Sequence, residues 1–396
     1  MKIGINASFL RKQNTGIGQV TVNFLKKLTE SSMINDQFSK KGEVEFILYL
    51  EEDFSPTGEL ELPDNFAKKV FLPIYKRDDL IRKILWEKYS LPRQVKKDDC
   101  DVFISLYQCP TIFNNSIKHI MVVHDIIPKL FSKYLGNSRK KLYWKLTEKG
   151  IDKTQRIITV SKRTEKDLGQ HLGIDPAKIT TSYIAVDEIY KKEVSNEEKR
   201  EVLLKYGLKQ GYIYYGGGLE VRKNAEGVLR AYKILRERNK KLHFIHEMPK
   251  LVISGKLMPE LAPMVVDVEK LAKQLNISPH VKCIGFVPQK DLPALYASAS
   301  MFVFPSHYEG FGMPVLEAMS QGVPTITSKT SSLPEVGGDA VLYCNPNDEK
   351  DIAMVMKNVL TNKHLRETLS LRSRERAKNF SWNQFVEKFL HIISSL

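Results

Sequence analysis

The chain has 396 residues, of which 42% are hydrophobic and 27% are charged, and its formal net charge is +15. This length accommodates two domains with substantial cores, and the composition excludes an intrinsically disordered chain. Four scattered cysteines without a Cys-x-x-Cys pair argue against a disulfide framework or a structural zinc site, and they fit a reducing cytosol. No apolar run approaches the roughly 18 residues that span a bilayer, and we expect no signal peptide.

Strands alternate with helices from the N-terminus onward. Residues 2–8 predict a first strand, and a loop with Gly16 and Gly18 leads from it into a helix. A Gly-rich loop at this place tolerates a phosphate, but Thr21 stands where a dinucleotide fingerprint requires its third glycine. The loop is therefore either a phosphate contact or a tight turn. Further strands are predicted at 44–50 and 70–73.

Two segments of the first half, 78–97 and 129–156, are predicted to be basic helices with interleaved aromatic residues. Such helices are typical of contact with an anionic membrane surface. An ordinary packed helix with a solvated basic face has the same pattern, so both interpretations stay open. Binding of nucleic acid is not expected, because the charge is spread over helices without a recognition motif.

A strand predicted at 120–123 ends at His124, within the motif His-Asp-x-x-Pro. The carboxyl end of a parallel strand is where open α/β sheets place their ligands. His124 is therefore a candidate site residue, with a core or capping histidine as the alternative.

A charged stretch near 187–196 is the predicted linker, and a second series of strands and helices follows it. The strand at 212–215 leads into GGGLEVRKN, residues 216–224. Its glycines permit close approach of a ligand, and Arg222 and Lys223 are suited to neutralise a diphosphate. The alternative is a pair of solvated surface charges.

Residues 301–328 predict a strand, a Gly-containing loop, a helix and another strand. Glu309 lies in the loop, and Glu317 is expected in the first turn of the helix. The amides of Phe311, Gly312 and Met313 lie where a helix N-terminus receives an anion. The stretch therefore predicts a site for a molecule that carries phosphate and hydroxyl groups, such as a sugar nucleotide. In the alternative reading, Glu317 merely favours the helix dipole.

The motif Glu-Gly-Phe-Gly-x-Pro-x-x-Glu at 309–317 resembles the two-glutamate signature of retaining GT-B glycosyltransferases of family 4. The motif at 217–224 resembles the donor-phosphate loop of that family. Thr-Gly-Ile-Gly at 15–18 and the setting of His124 resemble its first loop and its cleft histidine. In this family, the segment after Gly-Phe-Val, which is 285–287 here, borders the nucleotide base, and Val287 is a candidate donor contact.

The resemblance implies an α/β fold of the GT-B class, with two doubly wound Rossmann-like domains, an interdomain cleft and a C-terminal crossover helix. The expected domains are an acceptor-binding domain at 1–190 and a nucleotide-sugar-binding domain at 191–378. A C-terminal helix at 379–396 is expected to return to the first domain.

The resemblance also implies the roles of the site residues. Catalysis is assigned to Glu309, His124, Arg222 and Lys223. Binding of the donor is assigned to Gly16, Gly18, Gly217, Arg222, Lys223, Val287, Glu309, Gly310, Phe311, Gly312 and Glu317. No metal and no cofactor are expected.

The implied function is transfer of a sugar, first of all mannose from GDP-mannose, with retention of configuration. The expected acceptor is a glycan or a lipid-linked saccharide in the assembly of a cell-surface polysaccharide. A UDP-sugar-dependent transferase, a sugar-nucleotide epimerase and a non-catalytic partner subunit are the alternatives. The expected location is the cytoplasm, with peripheral contact to the inner face of the membrane.

Overall fold

The computed structural model describes residues 1–31, 44–52, 62–72, 79–114, 117–258, 261 and 264–395. The chain forms two compact units, Met1–Ile184 with Ser381–Leu396, and Ala185–Phe380. The predicted limit at 190/191 lies a few residues later than Ile184. The reason is that the side-chain amide of Gln321 donates a 2.7 Å hydrogen bond to the carbonyl of Tyr190, which ties this segment to the second unit.

The first unit contains a parallel sheet with the strand order β3-β2-β1-β4-β5-β6-β7. Its five inner strands are short, mainly apolar runs that are largely buried, as parallel strands between helices are, and the edge strands β3 and β7 are less buried. They are β1 Lys2–Asn6, β2 Glu45–Leu50, β3 Phe66–Val70, β4 Val102–Ser105, β5 Lys118–Val123, β6 Arg156–Thr159 and β7 Ile179–Thr181. The helices of this unit are α1 Gly16–Thr29, α2 Asp79–Leu85, α3 Leu91–Lys97, α4 Ile127–Leu130, α5 Ser138–Lys153, α6 Lys162–Leu172 and α15 Trp382–Ser394.

The second unit repeats this architecture with the strand order β10-β9-β8-β11-β12-β13, again all parallel. The strands are β8 Ile213–Tyr215, β9 Leu251–Ser254, β10 Val281–Gly285, β11 Met301–Phe304, β12 Thr325–Ser328 and β13 Leu342–Cys344. The helices are α7 Asn196–Tyr206, α8 Ala225–Leu242, α9 Val268–Gln274, α10 Leu292–Ala297, α11 Met313–Ser320, α12 Leu333–Gly337, α13 Glu349–Thr361 and α14 Lys363–Ala377. The strand order reverses direction between β8 and β11, which makes this pair the topological switch point of the sheet.

Two predicted elements of the first unit are wrong in their bounds. The strand expected at 70–73 is β3 Phe66–Val70, and Pro73 lies outside the described residues. Because β3 is an edge strand that buries only Phe66, it lacks the apolar run that marks the inner strands. The helix expected at 129–156 is broken, because Asn137 caps a new helix by accepting a hydrogen bond from the amide of Lys140.

The basic segment 79–97 is helical with a π turn at Trp86–Ser90, and residue 78 lies outside the described residues. Trp86 is fully buried, and its indole donates a hydrogen bond to the carbonyl of Phe71. Trp144 of α5 is also buried. Both tryptophans therefore belong to the core, as the packed-helix interpretation requires, and neither is placed for contact with a membrane surface.

The C-terminal helix α15 packs against α1 of the first unit. The ring of Phe24 lies 4.9 Å from that of Phe389 and 6.1 Å from that of Phe385, measured between centroids. None of the helices formed by the described residues has the length and apolar character that crossing a bilayer requires.

Candidate functional site

Two loops meet at the switch point of the second sheet, 216–224 after β8 and 305–312 after β11. We call these loops, together with α11, the switch-point site. Gly217 has a φ of +98°, and a Cβ added to it would lie 2.6 Å from Cγ of Pro314 in α11. Only glycine allows this approach, which joins the two sequence motifs.

The two loops also share a buried ion pair. Nη1 of Arg222 lies 2.9 Å from Oε1 of Glu309, and Nη2 of the same guanidinium lies 2.7 Å from Oε2 of Glu220. Nη1 also donates a 2.8 Å hydrogen bond to the carbonyl of Tyr308. Because a buried charge is costly unless it is paired, this network holds the Arg222 and Glu309 side chains in one geometry.

The side chain of Ser306 contacts both residues of that ion pair. Its hydroxyl oxygen lies 3.0 Å from both the carbonyl oxygen of Arg222 and Oε1 of Glu309, and its one proton is shared between these two acceptors. On the other side, the hydroxyl of Ser332 donates a 2.9 Å hydrogen bond to the carbonyl of Glu309, and that of Ser331 accepts one of 3.0 Å from its amide. The backbone and the carboxylate of Glu309 are therefore both fixed.

Asn224 closes the first loop. Its backbone is left-handed, with a φ of +63°, and its Oδ1 caps α8 by accepting a hydrogen bond from the amide of Gly227. Its Nδ2 donates to the carbonyls of Pro305 and Pro346, at 3.1 and 2.8 Å. One side chain thus connects the ends of β8, β11 and β13.

Lys223 differs from Arg222 in its partners. Its ammonium donates a hydrogen bond to the carbonyl of Gly217, and it has no carboxylate within ion-pair distance in the part of the chain that the structure describes. The positive charge of Lys223 is therefore available to an anionic ligand at the switch-point site.

The loop at 310–312 runs into α11. Gly312 is the N-cap with a φ of +114°, and a Cβ added there would lie 2.8 Å from Cδ2 of Leu333. Gly310 is buried, and the ring of Phe311 is buried edge-on against Phe380, with centroids 5.8 Å apart. Phe311 therefore has only its backbone to offer a ligand, and the amides at the start of α11 are positioned for an anion.

Glu317 lies in the second turn of α11, not in its first turn, because the helix begins at Met313. The side chain is buried, and its Oε2 accepts a 2.9 Å hydrogen bond from the hydroxyl of Tyr296. Burial raises the pKa of Glu317 to about 7, against the opposing effects of that hydrogen bond and of the Lys223 charge. Because the effect of the helix dipole falls off within the first turn, an interaction with the dipole is not the main role of Glu317 in the second turn.

Val287, the remaining donor residue predicted in this unit, is buried just after β10. Strand β10 lies two strands from β8, or about 10 Å. Val287 is therefore at the same edge of the sheet as the switch-point site, but to one side of it.

Three predicted residues lie in the first unit, at the carboxyl edge of its sheet. His124 directly follows β5, and its Nε2 lies 2.9 Å from the carbonyl of Leu106. Burial lowers the pKa of His124 to about 4, so the ring is neutral at pH 7. Because a carbonyl only accepts, Nε2 carries the proton and Nδ1 is left as an acceptor.

Gly16 and Gly18 open α1. A Cβ added to Gly18 would lie 2.0 Å from the carbonyl oxygen of Lys12, and the Gly18 amide donates to the side chain of the N-cap, Thr15. Gly18 is therefore required by packing, in agreement with the tight-turn interpretation. A Cβ added to Gly16 would meet no atom within 4 Å among the described residues.

Several residues of the site have contacts that the sequence does not predict. Asn224 is the last residue of the motif at 217–224, and Ser306 lies within the stretch 301–328, three residues before the motif at 309–317. Their partners come from segments up to 122 residues away, and no local signal reveals them. Tyr296 contacts Glu317 across two different helices, and its apolar surroundings predict only a core residue. The described residues contain no group of three or more His, Cys, Asp or Glu side chains that could hold a metal ion.

Two family models match this chain: Glycosyltransferase Family 4 over residues 40–188 and Glycosyl transferases group 1 over residues 195–376. The O-antigen chain mannosyltransferase B of Escherichia coli is 35% identical over 387 residues, which cover 96% of each chain. The O-antigen chain mannosyltransferase RfbU of Salmonella typhimurium is 26% identical over 90% of each chain. The structure of WaaG, a glycosyltransferase involved in lipopolysaccharide biosynthesis, superimposes with a TM-score of 0.71 over 99% of each chain, at 16% identity. These matches confirm the predicted α/β fold of the GT-B class.

Proposed function

Because the chain belongs to glycosyltransferase family 4, we propose that it transfers mannose from GDP-mannose, with retention of configuration, to a saccharide or a lipid-linked saccharide. The observation that carries the proposal is the switch-point site, where Lys223 has no carboxylate within ion-pair distance among the described residues and directly follows Arg222 of the Arg222–Glu309 pair. The choice of mannose is supported by the names of the two O-antigen mannosyltransferases that resemble the chain over nearly its whole length.

Each side chain of the site has a proposed task. Lys223 stabilises the negative charge that grows on the leaving diphosphate, and the amides at the start of α11 bind its oxygens. Arg222 contributes to that charge stabilisation and also orients Glu309. Glu309 then accepts hydrogen bonds from hydroxyls of the donor sugar, and Glu317 accepts them from the ribose.

In the proposed reaction, the bond between the anomeric carbon and the diphosphate oxygen breaks, and a bond to the acceptor oxygen forms on the same face of the sugar. The proton of the acceptor hydroxyl passes to the leaving diphosphate. Two cationic side chains supply the charge that a metal ion supplies elsewhere, so we propose that turnover continues in the presence of EDTA. His124, with Nδ1 as an acceptor, is assigned a sugar hydroxyl.

The test of the site uses two variants, Glu309→Ala and Lys223→Ala. We expect each to lower transfer by at least about 100-fold, since each removes an interaction with developing charge or with the sugar. Lys350→Ala, at an exposed lysine of the same unit, is the control, and circular dichroism checks the fold. Turnover like that of the wild type in both variants would overturn the assignment.

The donor is tested separately by thermal shift with GDP-mannose and with UDP-, ADP- and dTDP-sugars, because a bound donor raises stability by mass action. GDP-mannose should give the largest shift. A larger thermal shift with UDP-glucose or UDP-N-acetylglucosamine would overturn the choice of mannose, but it would be compatible with the proposed transferase activity. Conversion of the donor to an epimer in the absence of any acceptor would overturn the proposal that the protein is a transferase.

We also propose a cytoplasmic location with peripheral contact to the inner face of the membrane, where a lipid-linked acceptor is available. The exposed basic face of α5 supports this contact. It presents Arg139, Lys140, Lys141, Lys145 and Lys149 to solvent.

A further inference from the structure

A cavity of about 820 Å³ opens at the amino edge of the second sheet. Its walls are the turn before β8, the segment before β9, the start of β10 and one side of α8. The loops of the switch-point site follow the carboxyl ends of the strands, so the cavity lies at the opposite edge. Its volume is in the range of small-molecule sites.

Four basic side chains line the cavity, which we call the basic pocket: Lys209, Arg236, Lys250 and Lys282. None of the four has a carboxylate within ion-pair distance in the described ranges of the chain. The ammonium of Lys282 donates a 2.8 Å hydrogen bond to a neutral carbonyl, that of Gly207. Glu247 is the one acidic residue among those that line the pocket.

His280, which lines the pocket, is also surrounded by an excess of positive charge. Burial, and then the charges of Arg236, Lys240 and Lys250, lower the pKa of His280. Like charges around one concavity repel each other, and an anion bound between them relieves that repulsion.

The wall of the pocket is held in place by hydrogen bonds. The side chain of Asn239 donates to the carbonyl of Ile245 and accepts from its amide, both at 2.9 Å. The hydroxyl of Tyr232 donates to the carbonyl of Pro249, at 2.8 Å. The segment that carries Lys250 is thereby fixed against α8, so the cations surround a preformed space.

We propose that the basic pocket binds a phosphate-bearing ligand at a second anion site, separate from the switch-point site. Arg236 offers a planar fork to phosphate oxygens, and the three lysines act as point charges around it. The pocket is larger than one phosphate group, so a diphosphate or a phosphate with its attached group fits. The ligand is either a soluble phosphate or the headgroup of a lipid. The proposal does not depend on the transferase activity.

The experiment measures binding of inorganic pyrophosphate by calorimetry, in a Lys223→Ala background that weakens the switch-point site. Lys209→Glu/Lys250→Glu is the test variant, because both side chains are exposed and form no side-chain hydrogen bond among the described residues. Lys270→Glu/Lys350→Glu is the control, with the same change of charge on other exposed positions of this unit. We expect binding about tenfold weaker in the test variant and unchanged in the control.

A second measurement distinguishes the two sources, by flotation of the same proteins with phosphatidylglycerol vesicles. Loss of flotation in the test variant alone supports a lipid headgroup. Equal flotation of all proteins, together with weaker pyrophosphate binding in the test variant, supports a soluble phosphate. Equal pyrophosphate binding and equal flotation in the test and control variants would overturn the proposal.

Discussion

The carboxyl group of Glu317 shows what a single residue contributes to this site. It is buried in α11, and burial raises its pKa to about 7 from the ordinary value of 4.5. The folded protein therefore binds this proton more tightly than the unfolded chain does. The free energy of unfolding consequently falls as the pH rises from 4.5 to about 7, and this contribution is constant above that range.

Glu317→Gln should remove this pH dependence. Between pH 5 and pH 8, the stability difference between variant and wild type should change by up to about 3 kcal/mol in favour of the variant. Urea unfolding at several pH values measures it. Glu335→Gln, at a residue of α12 outside the site, is the control. A pH-independent difference between Glu317→Gln and the wild type would contradict the assigned burial.

Asn224→Ala should destabilise the second unit by about 3 kcal/mol. It removes an N-cap, leaves the buried carbonyls of Pro305 and Pro346 without this donor, and puts alanine, which tolerates the left-handed region less well than asparagine, at a φ of +63°. Asn362→Ala removes only the N-cap of α14, where the backbone is extended, and should cost about 1 kcal/mol. Equal losses in the two variants, by urea unfolding, would refute the role of Asn224 as a connector.

At the scale of elements, the two basic segments of the first unit have different roles: 79–97 is packed in the structure, and α5 presents its charges at the surface. In 79–97 the aromatic side chain of Trp86 points into the core, and Arg82 is paired with Glu51 and Glu52 at 3.3 and 3.2 Å. In α5, by contrast, the basic side chains are exposed beside Leu142, which is 53% exposed. Contact with an anionic surface is therefore expected from α5 rather than from 79–97.

Lys140→Glu/Lys141→Glu/Lys145→Glu should lower flotation with vesicles that contain anionic lipid, because each basic residue near such a surface contributes about 1 kcal/mol. Lys192→Glu/Lys270→Glu/Lys350→Glu, at exposed positions of the second unit, is the control for net charge. Similar flotation of the two triple variants would show that α5 has no specific contact with the membrane.

At the scale of the whole molecule, the chain leaves the first unit after Ile184 and returns to it at Ser381. The returning helix α15 buries Phe385 and Phe389 against Phe24, and the ammonium of Lys388 donates a 2.8 Å hydrogen bond to the carbonyl of Thr181. Helix α15 therefore contributes to the core of the first unit.

Truncation after Phe380 should destabilise the first unit selectively. Several large apolar side chains are lost, each contributing roughly 1.5–3 kcal/mol when buried. Hydrogen exchange should show lower protection in residues 1–184 and little change in 185–380. Phe389→Ala should give the same pattern of protection with a smaller effect, a loss of stability of about 3–5 kcal/mol. Loss of protection in both units alike would contradict this division.

Much of the fold and of the candidate site was predictable from the sequence, for a local reason. Parallel strands read as apolar runs, and the motifs at 217–224 and 309–317 place charges and glycines at fixed spacings after such runs. The order of the elements, the fold class and the candidate residues Arg222, Lys223 and Glu309 follow from these patterns. The polar edge strand β3 and the break before α5 did not follow, because their signals are weak or depend on neighbours.

The sequence by itself determined which residues are chemically equipped for a sugar nucleotide and in which kind of sheet they lie. Only the tertiary structure decided that Glu309 is paired with Arg222 while Lys223 has no carboxylate partner among the described residues, and that Glu317 is buried. It alone brought Lys209, Arg236, Lys250 and Lys282 together around the basic pocket. The physical reason is that pairing, burial and pKa depend on neighbours in space, and these come from segments that are far apart in the chain.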